Sequence, residues 1–285
     1  LANGRPRITA PLKIAVAQFY VSGDVRDNGR RIRGLMDDAA ASGARLIQFP
    51  ECAASGYEKS QLRNWDNLDW SHLREELAIT SSHAKKLGVH VVLGSAHFLS
   101  PPHRPHNSLY IISNQGQLAA RYDKRFCSHS EITDLFSPGF DPLTFELDGF
   151  RFGCALCIKV QFPELFAEYG NLGVDCMLLS SYSEDPMFEI SARAHANANN
   201  YWLGFSTQAN SESETESCII GPNGSVLDRA TPGQDSLALA TLDRDDETWI
   251  VPLRYAKPWR QTARRGEIYR RARITDPRSS MKTEF

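Results

Sequence analysis

Three side chains in this sequence form a set that could carry out acyl transfer: Glu51, Lys124 and Cys157. Each comes at the end of a run that reads as a β-strand: Glu51 after RLIQFP, Lys124 after LAARYD, and Cys157 at the close of FGCALC. In α/β proteins ligand sites gather at the carboxyl ends of strands, where loops converge above the sheet. A carboxylate can take a thiol proton, the resulting thiolate can attack a carbonyl, and an ammonium can stabilise the oxyanion that develops. Taken singly, each residue has a plainer explanation. A cysteine in an apolar strand usually packs in a core, a glutamate after a strand often caps a turn or helix, and a lysine after a hairpin strand is usually solvated. Only the joint placement raises the chemical reading.

Those strands need elements to hold them. LKIAVAQF (12–19) reads as a buried strand, followed by a helix over about 28–42 with Ile32, Leu35, Met36 and Ala39 on one face and Gly43 as its stop. A second helix is predicted over 72–87, ending at Gly88, before the strand VHVVLGS. SLYIIS and LAARYD, joined by Asn114-Gln115-Gly116, read as a hairpin. FRFGCALC is a strand, FPELFAEY a helix capped by Gly170, VDCMLLS a strand, and 186–200 a helix. YWLGFST, SCIIG, SVLDR and LALATL supply the remaining strands, with a PNG turn between two of them. Crossovers and hairpins together imply an α/β protein with a mixed sheet or a pair of sheets. No linker or repeat divides residues 1–285, so one domain is expected, with a basic tail from about residue 254 serving as a solvated face or subunit contact.

Composition narrows the function. A formal net charge of -2 gives no reason to expect nucleic acid as a partner. No apolar run approaches the roughly 20 residues of a membrane span, and the N-terminal LANGRPRITAP lacks the apolar segment of a signal peptide. The six cysteines are spread along the chain and make no Cys/His cluster at zinc spacing, so free thiols in a reducing cytoplasm are the expectation. The Asn223-Gly224-Ser225 sequon is better explained as a hairpin turn than as a glycan site. Dinucleotide, P-loop, zincin and serine-hydrolase signatures are missing, and no metal or organic cofactor is indicated.

The order of several segments resembles the nitrilase, or carbon-nitrogen hydrolase, superfamily. KIAVAQF resembles its first strand, GARLIQFPECAASGY its glutamate motif, HNSLYIISNQGQLAARYDKRF its lysine segment, GCALCIKVQFPEL its nucleophile segment and ARRGEIYR its C-terminal motif. The resemblance implies a four-layer αββα sandwich of two stacked mixed β-sheets, assembled as a homodimer or higher homo-oligomer. It implies Glu51 as general base, Lys124 as oxyanion partner and Cys157 as nucleophile, with Glu131 in SHSEITDLFSPG matching a second glutamate that helps position the others. The implied reaction is hydrolysis of a small-molecule amide or carbamoyl substrate through a thioester, without cofactor. Pro163 and Glu164 mark a helix start after Cys157, and its amide N–H groups together with Lys124 are expected to lower the thiol pKa. Alternation places Cys154 on the opposite strand face, as inert core.

The sequence departs from the family two residues past the nucleophile, where relatives commonly carry an acid and this chain carries Lys159. Three roles are open to it: a structural pair with a carboxylate or solvent, which is the preferred one; a contact to an acidic substrate; or a cation that weakens Glu51 or Glu131. Cys157-Ile158-Lys159 lacks the Cys-Trp-Glu of nitrilases, and Val160 and Gln161 supply no arginine of the carbamoylase kind, so an amide is favoured over a nitrile or an N-carbamoyl substrate. Ser181, Tyr182 and Phe188 are the expected substrate contacts beside Lys159. Two readings from other classes are a papain-like hydrolase using Cys157 and His195, and a non-catalytic scaffold with the same fold. Arg193, His195 and Asn197 are better read as structural.

Overall fold

The computed structural model describes residues 10–62, 64–209 and 215–283; residues 1–9 of the N-terminal stretch considered above lie outside them. The chain folds into two six-stranded sheets. In the first, β1 (Leu12–Gln18) lies between β12 (Ser236–Leu242) and β2 (Leu46–Gln48), followed outward by β3 (His90–His97), β4 (His106–Ile112) and β5 (Leu118–Asp123). The second runs β11 (Val226–Arg229), β10 (Cys218–Ile220), β9 (Trp202–Ser206), β8 (Cys176–Ser180), β7 (Phe150–Leu156) and β6 (Thr144–Leu147). The central strands β1–β3 and β7–β9 pair in parallel, and the flanking pairs are antiparallel.

Alternation along the strands sorts the side chains into three apolar layers. Ile14, Val16, Leu46 and Val92 face Cys154, Leu178 and Trp202 between the sheets. Ala15, Ala17, Ile47 and Leu93 face helices α1 (Val25–Ala41) and α2 (Trp70–Leu87). Ala155, Met177, Leu179 and Phe205 face α3 (Pro163–Asn171) and α4 (Met187–Asn199). The result is the αββα sandwich that the family resemblance implies.

Element ends follow local chemistry. Both outer helices start earlier than apolar periodicity indicates, because Asp24 and Asp69 accept hydrogen bonds from the first free N–H groups. Gly88, with φ 68°, closes α2 in the left-handed region. The expected stop at Gly170 is corrected: α3 passes through it and turns out at Gly173, with φ 76°. Gly170 is instead a close approach, since a Cβ there would sit 3.1 Å from Asn199 Oδ1. Strand β6 escaped the sequence reading; it pairs antiparallel with β7 at the sheet edge.

Near the strand ends the space between the sheets becomes polar. Gln48 Nε2 donates to Ser180 Oγ at 3.1 Å, Ser180 Oγ donates to the Phe49 carbonyl at 2.7 Å, and Ser206 Oγ donates to the Ala17 carbonyl at 2.8 Å. These bonds tie one sheet to the other just below the loops that carry Glu51 and Cys157. The basic tail is docked as well as solvated. Helix α5 (Lys257–Arg264) sends Arg260 and Arg264 to the carbonyls of Asn197 and Ala198 in the last turn of α4, and Gln261 to that of Gly170. Those carbonyls are the ones a helix leaves without internal partners. No helix among the described residues is long and apolar enough to cross a membrane.

Candidate active site

Each candidate side chain is delivered by a different strand end. Glu51 sits on the turn after β2. That turn is pressed onto β3 at Gly94, where a Cβ would lie 2.0 Å from the Pro50 carbonyl oxygen. Cys52, next in sequence, has φ 54°, a conformation few non-glycine residues adopt. Lys124 follows β5 directly, and its backbone N–H donates to the Asn107 carbonyl at 2.8 Å. Cys157 follows β7 and opens a turn over Cys157–Gln161, also in the left-handed region with φ 46°. Left-handed backbone at a residue with a Cβ typically costs about 1–3 kcal/mol and concentrates at functional sites.

The ammonium of Lys124 is completely buried between two carboxylates. It donates to Glu51 Oε1 at 2.8 Å and to Glu131 Oε1 at 2.7 Å. Burial alone would push the ammonium pKa down; Glu51, Cys157 and Glu131 outweigh it and hold the pKa well above lysine's usual value. An ammonium has three N–H donors. Two are committed here, which leaves one for a reacting group.

The two glutamates are not equivalent. Glu131 accepts from Lys124 and from the Tyr57 hydroxyl at 3.1 Å on one oxygen, and from the Ser128 N–H at 2.7 Å on the other. Its pKa lies below the ordinary carboxylate value, because burial is overcome by the Lys124 charge and these donors. Glu51 is pushed the other way, chiefly by burial and also by the Glu131 charge, against the pull of Lys124 and Asn107. Its Oε1 accepts from Lys124 and from Asn107 Nδ2 at 2.7 Å, while Oε2 is buried with no hydrogen-bond partner. A poised base needs such an atom: raised in basicity and free to take a proton.

The Cys157 thiol lies within the field of both Glu51 and Lys124, with the Tyr182 N–H and the Ser181 hydroxyl beside it. The expected lowering of its pKa is overturned. Burial, reinforced by the Glu51 charge, pushes the thiol up to about 12 in spite of Lys124. The helix start does not help, since the turn through Gln161 intervenes before α3 and the backbone N–H at the sulfur comes from Tyr182. The Cys157 thiol at rest is therefore neutral, and it would need a base to act on a carbonyl. Cys154 stands at C-x-x-C spacing from it, yet both thiols are free. Cys154 packs between the sheets and Cys157 against the α3/α4 layer.

The remaining expectations divide. Ser181 and Tyr182 do reach the site, and the Ser181 carbonyl also accepts the Glu51 N–H at 3.3 Å. Tyr182 packs against Tyr57 in a tilted pair with ring centroids 4.7 Å apart, and the pair joins Phe136 and Trp65 in an apolar wall beside Glu131. Phe188 is packed in the α3/α4 layer, against which Cys157 and Ile158 rest. His195 gives Nε2 to the Val160 carbonyl at 2.8 Å and stacks on Phe166, a structural role.

Lys159 departs from its preferred description, a carboxylate pair or a solvated side chain. It is buried at 1 % exposure, pairs with no carboxylate among the described residues, and lies with Nζ 4.4 Å from the centre of the Tyr122 ring. Burial holds its amine down to about 6, with Glu168 pulling weakly the other way. Asn107 is the residue the sequence reading missed. Its carbonyl fixes the Lys124 backbone, its amide N–H fixes Glu51, and its side-chain oxygen accepts from Cys52 Sγ at 3.7 Å. The only signal for it was a polar residue opening the apolar run of β4. Among the described residues no cluster of His, Cys, Asp and Glu is arranged to hold a metal ion.

Comparison with known proteins identifies the family and the fold. A sequence profile described as "Carbon-nitrogen hydrolase" matches residues 13–249. An omega-amidase of Danio rerio is 25% identical over 254 residues, covering 81% of this chain and 88% of that protein. A 2-oxoglutaramate amidase of Bacillus subtilis is 29% identical over 223 residues, covering 75% and 84%. Among solved structures, an amidase of the nitrilase superfamily from Nesterenkonia, with one cysteine replaced by alanine, superposes with a TM-score of 0.78 at 20% identity, over 94% of this chain and 99% of that one. Another mutant of the same amidase, at TM-score 0.76, 19% identity and coverage of 92% and 97%, carries the acetamide moiety of fluoroacetamide covalently on its active-site cysteine.

Two outcomes follow for this site. Glu51 must be ionised to accept a proton and its pKa is raised, so activity is lost as pH falls through a value above the usual 4.5. The acid limb of kcat/KM is expected there, and Asn107→Ala, which removes a donor to the carboxylate, moves it higher still. A limb at or below 4.5 contradicts the assignment. For Lys159, the folded protein binds fewer protons than the unfolded chain between about pH 6 and 10.5, so stability rises with pH across that window. Lys159→Met is expected to raise the melting temperature at pH 7, with the gap to wild type closing towards pH 10. A lower melting temperature for the variant at pH 7 would show that the buried amine is stabilising.

Proposed function

The chain belongs to the carbon-nitrogen hydrolase family, and from that membership we propose that it hydrolyses a small amide to a carboxylate and ammonia through a thioester on Cys157. The observation that carries the proposal is the unpartnered, buried Oε2 of Glu51 beside a neutral thiol and a doubly anchored ammonium. The amidases among its relatives support an amide as the substrate class.

The chemistry follows from those positions. Cys157 Sγ attacks the amide carbonyl carbon while its proton passes to Glu51 Oε2. The carbonyl electron pair moves to oxygen, where the third N–H of Lys124 stabilises the charge. Glu51 then hands the proton to the leaving nitrogen. The C–N bond breaks, ammonia departs, and a thioester remains on Cys157. A water molecule gives a proton to Glu51 and adds to the thioester. Collapse of that adduct breaks the C–S bond, and Glu51 returns the proton to sulfur. Glu131 keeps its charge throughout, which holds Lys124 protonated when Glu51 becomes neutral. This division of labour explains why one carboxylate carries three donated hydrogen bonds and the other keeps an oxygen free.

Ser181 and Tyr182 border the sulfur and are read as substrate contacts. Phe188 supports the nucleophile turn from behind, and Lys159 acts on the site through packing rather than charge. No step calls for a metal or organic cofactor. Residues 1–285 are read as one catalytic domain. All six cysteines are free thiols, which supports a reducing, cytoplasmic setting. The tail exposes Tyr255, Trp259, Tyr269 and Ile274, each more than half accessible, which supports a homodimer that covers them.

Incubation with 2-fluoroacetamide and intact-mass analysis tests the chemistry. An acetamide-sized adduct is expected on the wild type, none on Cys157→Ala, and Glu51→Gln is expected to lose at least 100-fold in turnover of simple amides. Turnover retained in Cys157→Ala sinks the proposal. Light scattering on the intact chain checks the dimer: Trp259→Asp with Tyr255→Asp should shift the mass to that of one chain, and an unchanged mass refutes that contact.

A further inference from the structure

Away from the site just described, helix α2 and the outer strands β3, β4 and β5 enclose a cavity of about 370 Å3. Its walls are Trp70, Leu73 and Leu77 on the helix, and Phe98, Ile112 and Leu118 on the sheet side. Phe98 and Leu118 are 47% and 57% exposed, so the cavity opens to solvent along an apolar lip. Space of this size, lined by apolar groups with a few polar ones, is at the small end of what small-molecule sites use.

Arg74, Ser81, His97 and Tyr110 are its polar lining, and Arg74 and Tyr110 each keep a donor that the protein does not use. Arg74, on the rim, is exposed and makes no hydrogen bond or ion pair with the described residues. Tyr110 lines the wall and is nine-tenths buried. Its oxygen is 2.7 Å from His97 Nδ1, and His97 Nε2 faces Arg121 Nη1. A guanidinium can only donate. The Nε2 therefore accepts, and the ring proton sits on Nδ1 and is donated to the Tyr110 oxygen. The desolvated His97, with the Arg121 charge beside it, stays neutral, consistent with that tautomer. The hydroxyl hydrogen of Tyr110 is thus left without an acceptor in the protein. Arg121 itself is held by both oxygens of Asp123 at 2.8 and 3.0 Å, so the relay is anchored.

We propose that this cavity is a binding site for a small amphipathic anion, an aryl or short alkyl body carrying a carboxylate or sulfonate, separate from the Glu51, Lys124 and Cys157 cluster. The body fills the space between α2 and the sheet. The anionic head takes the Tyr110 hydroxyl and the Arg74 guanidinium as donors. Positive charge and a spare donor at one end of an otherwise apolar cavity discriminate for that class: a neutral apolar molecule leaves Arg74 unused, and a cation meets it as a like charge.

The test uses the whole protein, in wild type and in Cys157→Ala so that the reactive cysteine plays no part. Fluorescence of 8-anilinonaphthalene-1-sulfonate reports occupancy, with 4-phenylbutyrate and the neutral 4-phenylbutan-1-ol as competitors. Saturable binding is expected, with the acid competing better than the alcohol. Arg74→Glu is expected to weaken the acid at least tenfold and the alcohol less than twofold. Tyr110→Phe is expected to weaken the acid selectively, and Ala78→Trp, an exposed position on the cavity wall, to abolish both. Arg74 and Ala78 are exposed, so both variants should fold, and circular dichroism verifies it. Three results overturn the proposal: no saturable binding, binding indifferent to Arg74→Glu and Ala78→Trp, or binding seen only on dilution to monomers, which would assign the cavity to a second copy of the chain.

Discussion

A fully buried ammonium held by two buried carboxylates is the constraint around which this protein is arranged. Removing one member of such a cluster typically costs about 3–5 kcal/mol, because the others are left as uncompensated buried charge. The cluster therefore has to be assembled with all its hydrogen bonds, and the fold supplies them from separate places. Asn107 on β4 and Lys124 after β5 come from one hairpin, Glu51 from the turn after β2, and Tyr57, Ser128 and Glu131 from the loops above. Burial chiefly raises the basicity of Glu51 and keeps the neighbouring thiol protonated, and the net negative charge of two carboxylates and one ammonium adds to it.

That electrostatic balance shapes the chemistry. A thiolate at rest would need strong stabilisation at Cys157, and the structure provides little of it: one backbone N–H, one hydroxyl and a lysine already shared by two acids. In the proposed mechanism, proton transfer to Glu51 during attack removes the need. Charge then moves within the cluster instead of being created in an apolar setting, so little of the surrounding protein has to reorganise. The left-handed backbone at both Cys52 and Cys157 turns the chain sharply just past the ends of β2 and β7, where Glu51 and Cys157 are presented.

Lys159 shows how far packing can override charge. At a position where an acid would be commonplace, the chain buries a lysine against the Tyr122 ring and keeps its amine largely neutral. Its long aliphatic stem fills volume between the nucleophile turn and β5. The side chain therefore links Cys157 mechanically to the strand that ends at Lys124, without adding a cation to the reacting groups.

Much of this was legible in the sequence, for reasons that can be located. Alternating and continuous apolar runs determined nearly every strand and the four long helices, because period-2 and period-3.6 burial leaves a direct trace in residue order. The strand-end positions of Glu51, Lys124 and Cys157 were legible too, since residue type and spacing are local facts. Local patterns were silent on β6, a short edge strand with partly exposed side chains, and on the passage of α3 through Gly170, which turns on a contact with Asn199. They were silent on Asn107, an ordinary strand polar residue until the turns carrying Glu51 and Lys124 close on it. They misjudged the thiol pKa and the surroundings of Lys159, because both depend on how much water the assembled sandwich excludes. The sequence alone determined which groups stand at the strand ends. Only the tertiary structure decided their protonation and their partners, because desolvation and the field of distant charges come into being when the two sheets close.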